Sequence, residues 1–280
     1  MNKLIRLSPT GIEYGDYAWN FASGCGNCTD GKCNSGGFNC WAYSITQRFG
    51  GHYPKGFNPT IYPEALHSPL YLKKPSRILC AFMGDLFWDC PEFNPGRKNI
   101  LHGFTEDGSS REDISLKRII YYVVESCPQH TFLFLTKQPQ NLIRWSPFPD
   151  NCWVGVSATG SLMLGKAIAH LSGIEAKIKY ISFEPLLEDI VYEGDVVKVA
   201  SLLNRTGINW VIIGAQTKPY KPPKIEWVQE IVEAADEAGI PVFLKRNLEP
   251  LLPFDNKNLW AFRPANDVPR RTVDLRQEVP

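Results

Sequence analysis

The most chemically distinctive feature of the chain is a group of four cysteines within sixteen residues. They are spaced C-x2-C-x4-C-x6-C in a segment rich in Gly, Asn and Asp, at Cys25, Cys28, Cys33 and Cys40. Thiolates are the ligands of iron–sulfur clusters and of structural zinc sites, and a glycine-rich loop can wrap a compact metal centre. The spacing therefore predicts a metal site held by these four residues.

Cysteine spacing alone leaves the nature of this site open. The alternatives are an iron–sulfur cluster with three or four thiolates, a tetrahedral zinc site, and a pair of disulfides or free thiols. No run approaches the roughly 18 apolar residues of a membrane span, and residues 1–7 lack a secretory pattern. We therefore expect a cytoplasmic protein with no membrane contact, in a reducing compartment that disfavours disulfides.

The other four cysteines lie outside this cluster. Three of them, Cys80, Cys127 and Cys152, fall in apolar segments and are expected to be small buried hydrophobes. Cys90 lies between Asp89 and Pro91 in a predicted loop and receives no role.

Length and composition describe an ordinary globular chain. Its 280 residues are 44% hydrophobic and 21% charged, which excludes a mainly disordered protein. Lys and Arg number 30 against 29 Asp and Glu, so no overall basic field indicates a nucleic-acid-binding protein. A local basic groove is compatible with this balance.

Seven short apolar runs, most of them continuous rather than alternating, predict strands covered on both faces. They are Ala18–Ala22, Arg77–Met83, Thr131–Leu135, Cys152–Val156, Lys179–Phe183, Trp210–Ile213 and Pro241–Leu244. Helical patterns lie between them, at Trp41–Phe49, Arg111–Ser126, Leu162–Leu171 and Ile225–Ala238. Strands and helices alternating at this spacing predict repeated βαβ units.

These units predict an α/β fold, a partial or complete β/α (TIM-like) barrel, with an open doubly wound sheet as the alternative. The barrel would occupy residues 1–250 as one domain, with the cysteine loop at 24–41 and irregular insertions at Gly51–Pro75 and Asp89–Ser110. Residues 251–280 would form a C-terminal extension.

Polar residues follow several of the predicted strands. Because active sites of parallel α/β folds form at the carboxyl ends of the strands, we expect these residues to meet the cysteine loop. The candidate cofactor-binding residues are Gly84, Asp85, Thr136, Lys137, Ser157, Glu184 and Lys245. The alternative for Asp85 is a helix N-cap.

A series of short blocks resembles a family of phage, prophage and archaeal proteins of unknown function that is regarded as radical-SAM-like. The blocks are Trp19-Asn20, Gly24-Cys25, Cys40-Trp41-Ala42, Met83–Phe87, Leu135–Pro139, Trp153–Ser157, Ser182–Leu186, Trp210–Gly214 and Phe243–Lys245. More distantly, the pattern is similar to spore photoproduct lyase, a radical SAM enzyme that repairs DNA.

This resemblance implies a radical SAM type of barrel with a 4Fe–4S cluster on the first loop. S-adenosylmethionine would bind the open iron, with Asp85 at its amino group, and a reductant such as a ferredoxin or flavodoxin would drive its cleavage to a 5′-deoxyadenosyl radical. The substrate is not identified, and a nucleic acid or nucleobase is the candidate. No catalytic residue acting on the substrate is assigned.

The sequence departs from the family pattern at Gly37, where the family carries a cysteine three residues before Cys40. Cys28 or Cys33 would have to replace it, so which three cysteines ligate the cluster stays open. The alternative is a non-catalytic zinc or iron–sulfur module that binds nucleic acid or a partner protein. Tyr220, with Lys218 and Lys221, is among the residues that could contact a nucleic-acid strand.

Overall fold

The computed structural model describes residues 5–98, 100, 114–191, 194–252, 259–264 and 273–280. They have a mixed α/β fold with a mostly parallel eight-stranded sheet. The predicted α/β class is therefore confirmed, whereas closure into a barrel stays a prediction. Residues 111–113 of one predicted helix, and most of the second half of the insertion at 89–110, lie outside the described residues.

The strands and helices are short, and between Arg77 and Leu244 helical segments separate the consecutive strands of the eight-stranded sheet. The strands are β1 (Leu7–Pro9), β2 (Tyr17–Trp19), β3 (Ala22–Ser23), β4 (Cys28–Thr29), β5 (Lys32–Cys33), β6 (Thr60–Ile61), β7 (Arg77–Cys80), β8 (Thr131–Thr136), β9 (Cys152–Ser157), β10 (Ile178–Phe183), β11 (Trp210–Ile213), β12 (Gln216–Thr217), β13 (Tyr220–Lys221), β14 (Val242–Leu244), β15 (Phe262–Pro264) and β16 (Val273–Leu275). The α-helices are α1 (Trp41–Arg48), α2 (Leu116–Glu125), α3 (Ser161–Leu171), α4 (Val196–Thr206) and α5 (Ile225–Glu237).

The chain divides into two compact units. The first comprises Met1–Val154 and Ile174–Lys177. In its sheet β1 is antiparallel to β2, and β2, β7 and β8 are parallel neighbours. The central residues of β7 and β8 are fully buried, which explains why these strands are apolar at consecutive positions rather than at alternate ones.

The second unit comprises Gly155–Gly173 and Ile178–Pro280. Its strands β10, β11 and β14 are parallel, with Ser182 beside Ile212 and Ile212 beside Phe243. The predicted apolar stripe of α5 is buried, at Val228, Ile231, Val232 and Ala235. This register places the last residues of the three strands, Phe183, Ile213 and Leu244, side by side.

One helix was not predicted from the sequence. Helix α4 begins after Asp195, whose side chain accepts a hydrogen bond of 3.0 Å from the Lys198 N–H, and ends at Gly207 with φ 70°. Both are ordinary sequence signals for a helix start and a helix end. Between them, buried residues recur at helical spacing, at Val199, Ala200, Leu203 and Thr206.

The last residues of the chain lie along β14. The Leu244 N–H donates to the Arg276 carbonyl at 2.7 Å, and the Glu278 N–H donates to the Val242 carbonyl at 3.0 Å. The Trp210 indole N–H also donates to the Glu278 carbonyl, at 2.8 Å. The tail therefore satisfies backbone groups of the exposed edge of this strand.

No helix in the described ranges is long and apolar enough to span a membrane.

Candidate metal and cofactor site

The cysteine loop is built on a two-residue β-hairpin. Strands β4 and β5 are joined by Asp30 and Gly31, which both have positive φ values, 49° and 77°. This is the conformation of the tight turn that Asp-Gly favours. Cys28 and Cys33 stand directly opposite each other across the pair. Their side chains therefore project from the same face of the hairpin.

A backbone hydrogen bond to the hairpin turn holds Cys40 next to this pair. The Cys40 N–H donates to the Gly31 carbonyl at 2.7 Å, immediately before α1 begins. The Cys28 and Cys40 thiols lie close enough to interact. Burial, the neighbouring Cys40 thiol and Cys33 together raise the pKa of Cys28 to about 11.

Cys25, the fourth cysteine of the loop, is partly buried. Its sulfur accepts a hydrogen bond of 3.2 Å from the Asn27 N–H. Burial and the charge of Asp85 raise the pKa of Cys25, while the Asn27 N–H and Lys137 act in the opposite direction. Electrostatic interactions thus link Cys25 with Cys33, and Cys28 with both Cys33 and Cys40.

Two glycines bring the cysteine loop against the end of β7. Gly24 pairs with Gly84 as an isolated parallel bridge, and the Asp85 N–H donates to the Gly24 carbonyl at 3.3 Å. A Cβ on Gly84 would lie 2.2 Å from the Gly24 carbonyl oxygen, so no larger residue fits at position 84 without displacing the backbone. This contact is the reason that Cys25 comes close to Asp85.

Asp85 joins the loop after β7 to the loop after β8. One of its carboxylate oxygens accepts from the Thr136 hydroxyl at 2.7 Å and from the Phe87 N–H at 3.1 Å. The other accepts from the Lys137 N–H at 2.9 Å. Burial raises the pKa of the Asp85 carboxyl, and these donors together with the Lys137 charge oppose that rise.

The geometry of Asp85 bears on both of its predicted roles. No helix begins after it in residues 86–98, although its bond to the Phe87 N–H resembles a capping contact. Its carboxylate already serves three donors of the protein. Its predicted role as the acceptor for the cofactor's amino group stays a prediction.

Lys137 brings a positive charge to the cysteine loop. Its ammonium lies 5.9 Å from the centre of the Phe38 ring, and Phe38 belongs to the loop itself. Its charge favours the ionised forms of both Cys25 and Asp85. A cation beside buried thiolates offsets part of the cost of ionising them, which is what metal binding by Cys25 requires.

The donor set fits an iron–sulfur cluster in its chemistry, because four soft thiols lie within one sixteen-residue segment, with the Lys137 charge beside Cys25. Within the described ranges, however, no group of three or more His, Cys, Asp or Glu side chains is arranged to hold a metal ion. Loading a cluster therefore requires side chains of the loop to move.

Three of the predicted residues lie in the second unit. Ser157 is buried at the end of β9. Glu184 follows β10 and Lys245 follows β14, and their side chains form an ion pair that is largely shielded from solvent. The strand between them ends at Gly214, where an added Cβ would lie 3.0 Å from Lys245 Cδ and 3.2 Å from Glu184 Cγ. The glycine therefore provides the space through which the ion pair forms.

The segment Gly160–Ala167 resembles a phosphate-binding loop but has another structure. It enters α3 directly, and the Ser161 N–H at the start of the helix donates to the Glu188 carboxylate at 2.7 Å. This carboxylate occupies the position that an anion would take at the helix N-terminus. The segment is therefore not a phosphate site in this structure.

Several residues that shape these sites were not singled out from the sequence. The Trp88 indole lies against the backbone of Gly26, where an added Cβ would be 2.3 Å from Cε2. Asn27 donates to Cys25, and Gly214 makes room for the Glu184–Lys245 pair. The Asp-Gly turn was the one available sequence signal, because that dipeptide favours a tight hairpin.

Comparison with known proteins assigns the chain to a family. The family model described as "Protein of unknown function (DUF5131)" matches residues 9–94 and 109–249, and the chain belongs to this family. No curated protein matches the chain significantly. Among solved structures, the chain is similar to "Spore photoproduct lyase complexed with dinucleoside spore photoproduct", with a TM-score of 0.45 and 13% identity over 88% of this chain and 77% of that one.

Proposed function

We propose that the protein is a radical SAM-type enzyme whose cysteine loop holds a 4Fe–4S cluster. The observation that carries the proposal is the placement of Cys25, Cys28, Cys33 and Cys40 on one hairpin loop that Gly24 and Gly84 fix against Asp85. The sequence blocks that resemble radical-SAM-like proteins include two of these cysteines, Cys25 and Cys40.

The chain's own residues would bind and shield the cluster. Three thiolates would hold it, and one iron would stay open for the amino and carboxylate groups of S-adenosylmethionine. Bound there, the cluster and cofactor supply reductive cleavage of the sulfonium bond and hence a 5′-deoxyadenosyl radical. Lys137 would favour the thiolate form of Cys25, and the Trp88 indole covers the loop backbone at Gly26.

The barrel, S-adenosylmethionine as cofactor, and a ferredoxin or flavodoxin as reductant are parts of this proposal. We further propose that Thr136 and Lys137 maintain the position of Asp85, on the strength of their two hydrogen bonds to its carboxylate. The assignment of Ser157, Glu184 and Lys245 to the cofactor stays a prediction.

Metal analysis of anaerobically purified protein tests the proposal. We expect a brown protein with a broad absorbance near 400 nm and about four irons and four sulfides per chain, as a cubane requires. Cys25→Ala and Cys40→Ala should abolish iron binding, whereas the matched changes Cys80→Ala and Cys152→Ala should leave it unchanged. A colourless protein with one zinc per chain would contradict the proposal and support the zinc-binding alternative.

A further inference from the structure

A short hairpin after β11 presents cationic and aromatic side chains to solvent. Strands β12 and β13 pair through Gln216 with Lys221 and Thr217 with Tyr220. Residues 214–225 contain three lysines, Lys218, Lys221 and Lys224, and no acidic residue. All three lysines are exposed, and the Tyr220 side chain is 46% exposed. A chain with a net charge of only +1 therefore carries a local positive surface here.

The base of the hairpin is fixed by one residue that follows β14. The Asn247 side chain accepts from the Ala215 N–H at 3.0 Å and donates to the Ala215 carbonyl at 2.9 Å. The Asn247 carbonyl accepts from the Tyr220 hydroxyl at 3.1 Å. The Tyr220 ring is therefore held in position while much of it faces solvent. An exposed ring held in this way loses little conformational entropy when a ligand stacks on it.

A second aromatic residue extends the same surface along the chain. The Lys224 ammonium lies 5.2 Å from the centre of the Trp227 ring at the start of α5. Lysines next to accessible aromatic rings are the combination that binds single-stranded nucleic acid, in which the phosphates meet cations and unpaired bases stack on the rings.

We propose that Gln216–Lys221, together with Lys224, is a binding surface for single-stranded nucleic acid. Tyr220 stacks on a base, and Lys218, Lys221 and Lys224 neutralise neighbouring phosphates. Residues 214–227 carry three lysines against one exposed carboxylate, Glu226, and this positive balance matches a polyanionic partner. The exposed Tyr220 ring favours unpaired bases over an acidic peptide. A role of this surface in binding the enzyme's substrate rests on the proposed function. The binding of nucleic acid itself requires neither cluster nor cofactor.

Fluorescence anisotropy with a labelled oligothymidylate, on the full chain without cluster reconstitution, tests this surface at about 50 mM salt, where phosphate contacts contribute most. The triple change Lys218→Ala, Lys221→Ala and Lys224→Ala should weaken binding at least about tenfold and reduce the slope of log K against log salt by about 2. Tyr220→Ala should weaken it about tenfold with little change in that slope.

Two controls separate the surface from general charge and from misfolding. The triple change Lys74→Ala, Lys166→Ala and Lys198→Ala removes the same charge from exposed positions elsewhere and should leave affinity within about threefold. Tyr220→Phe keeps the ring but loses the hydroxyl bond to Asn247, and should bind more weakly than the unchanged chain and more tightly than Tyr220→Ala.

The proposal would be overturned by no binding by the unchanged chain, by equal losses in the two lysine triples, or by equal affinity for poly-glutamate. Equal affinity for duplex DNA would also contradict it, because stacking on Tyr220 needs unpaired bases. Because the protein in this assay carries no cluster, an absence of oligonucleotide binding would not contradict the proposed radical SAM function. Conversely, a protein that binds the oligonucleotide but does not cleave S-adenosylmethionine after cluster reconstitution would support the binding surface and contradict the proposed enzyme activity.

Discussion

Cys28 and Cys33 lie directly opposite each other across the antiparallel pair β4–β5. The tight Asp30–Gly31 turn fixes this relationship, so the two residues reach the same face of the hairpin. Neither occupies the position three residues before Cys40 that the resembled family uses, which is Gly37 here. The hairpin therefore offers two thiols where the family pattern has one.

Moving a cysteine to position 37 should identify the ligand that replaces the family's residue. In whichever of Cys28→Ala and Cys33→Ala loses iron, Gly37→Cys should restore it, because it recreates the spacing to Cys40. Nothing lies within 4 Å of the added Cβ, and the backbone at φ +68° costs about 1–2 kcal/mol for a non-glycine residue. Iron content per chain is the measurement.

The matched control for this rescue is Gly36→Cys, which adds the same thiol one residue out of register. It should not restore iron. Equal recovery with both changes, or recovery with neither, would show that the spacing to Cys40 is not what defines the ligand.

Asp85→Ala should destabilise the protein because it removes three hydrogen bonds to one buried carboxylate. We expect a loss of about 3 kcal/mol in the free energy of unfolding, and a smaller loss for Asp85→Asn, which keeps the shape and part of the acceptor capacity. Urea unfolding of the two variants measures these changes in the free energy of unfolding.

The control for Asp85 is Asp89→Ala. Asp89 is exposed and pairs with Arg144 at 2.6 Å, and the change should cost less than about 1 kcal/mol. If Asp85→Ala left stability unchanged and only weakened binding of S-adenosylmethionine, Asp85 would be a cofactor ligand rather than a link between two loops.

Gly214→Ala should destabilise the second unit by about 1–2 kcal/mol, because the added methyl crowds Glu184 and Lys245 and separates their ion pair. Gly165→Ala, within α3, has nothing within 4 Å of the added Cβ and should stabilise by about 0.5–1 kcal/mol. Thermal unfolding of the two variants should therefore shift in opposite directions. A shift in the same direction would reject the crowding argument.

Arg276→Ala should detach the tail from β14. The guanidinium is 2% exposed and bonds to Asp236 at 2.7 and 2.9 Å and to Glu278 at 3.0 and 3.1 Å. We expect the free energy of unfolding to fall by about 2 kcal/mol. The loss is limited because the two carboxylates left behind are partly exposed. The exposed Arg205→Ala should cost less than about 0.5 kcal/mol. Hydrogen exchange at the Leu244 amide, which donates to the tail, should rise only in the first variant.

Seven of the eight strands of the sheet were predictable because they contain continuous apolar runs, whereas β1, Leu7–Pro9, has no such run and was not predicted. Trp210–Ile213 has the predicted bounds, and the others differ by a few residues at their ends. Helix α4 was missed although Asp195 and Gly207 mark its two ends. The predicted strand over Arg77–Met83 ends earlier, at Cys80, because the chain turns there towards Gly84.

The candidate site was predictable in its residue types and not in its contacts. The four cysteines follow from spacing alone, and the Asp-Gly turn would have indicated the hairpin that arranges two of them. The contact of Gly24 with Gly84 and the donation to Asp85 by Thr136 and Lys137 join segments about 50–60 residues apart. Local propensity carries no information about such pairings, and the same holds for Arg276 with Asp236.

The most direct test of the central claim is to reduce the reconstituted protein with dithionite in the presence of S-adenosylmethionine and to quantify 5′-deoxyadenosine. The account predicts cofactor cleavage by a protein that holds about four irons per chain, and none by the Cys40→Ala variant. A fully loaded, reduced protein that releases no 5′-deoxyadenosine would contradict the radical SAM function and leave a metal-binding protein without that chemistry.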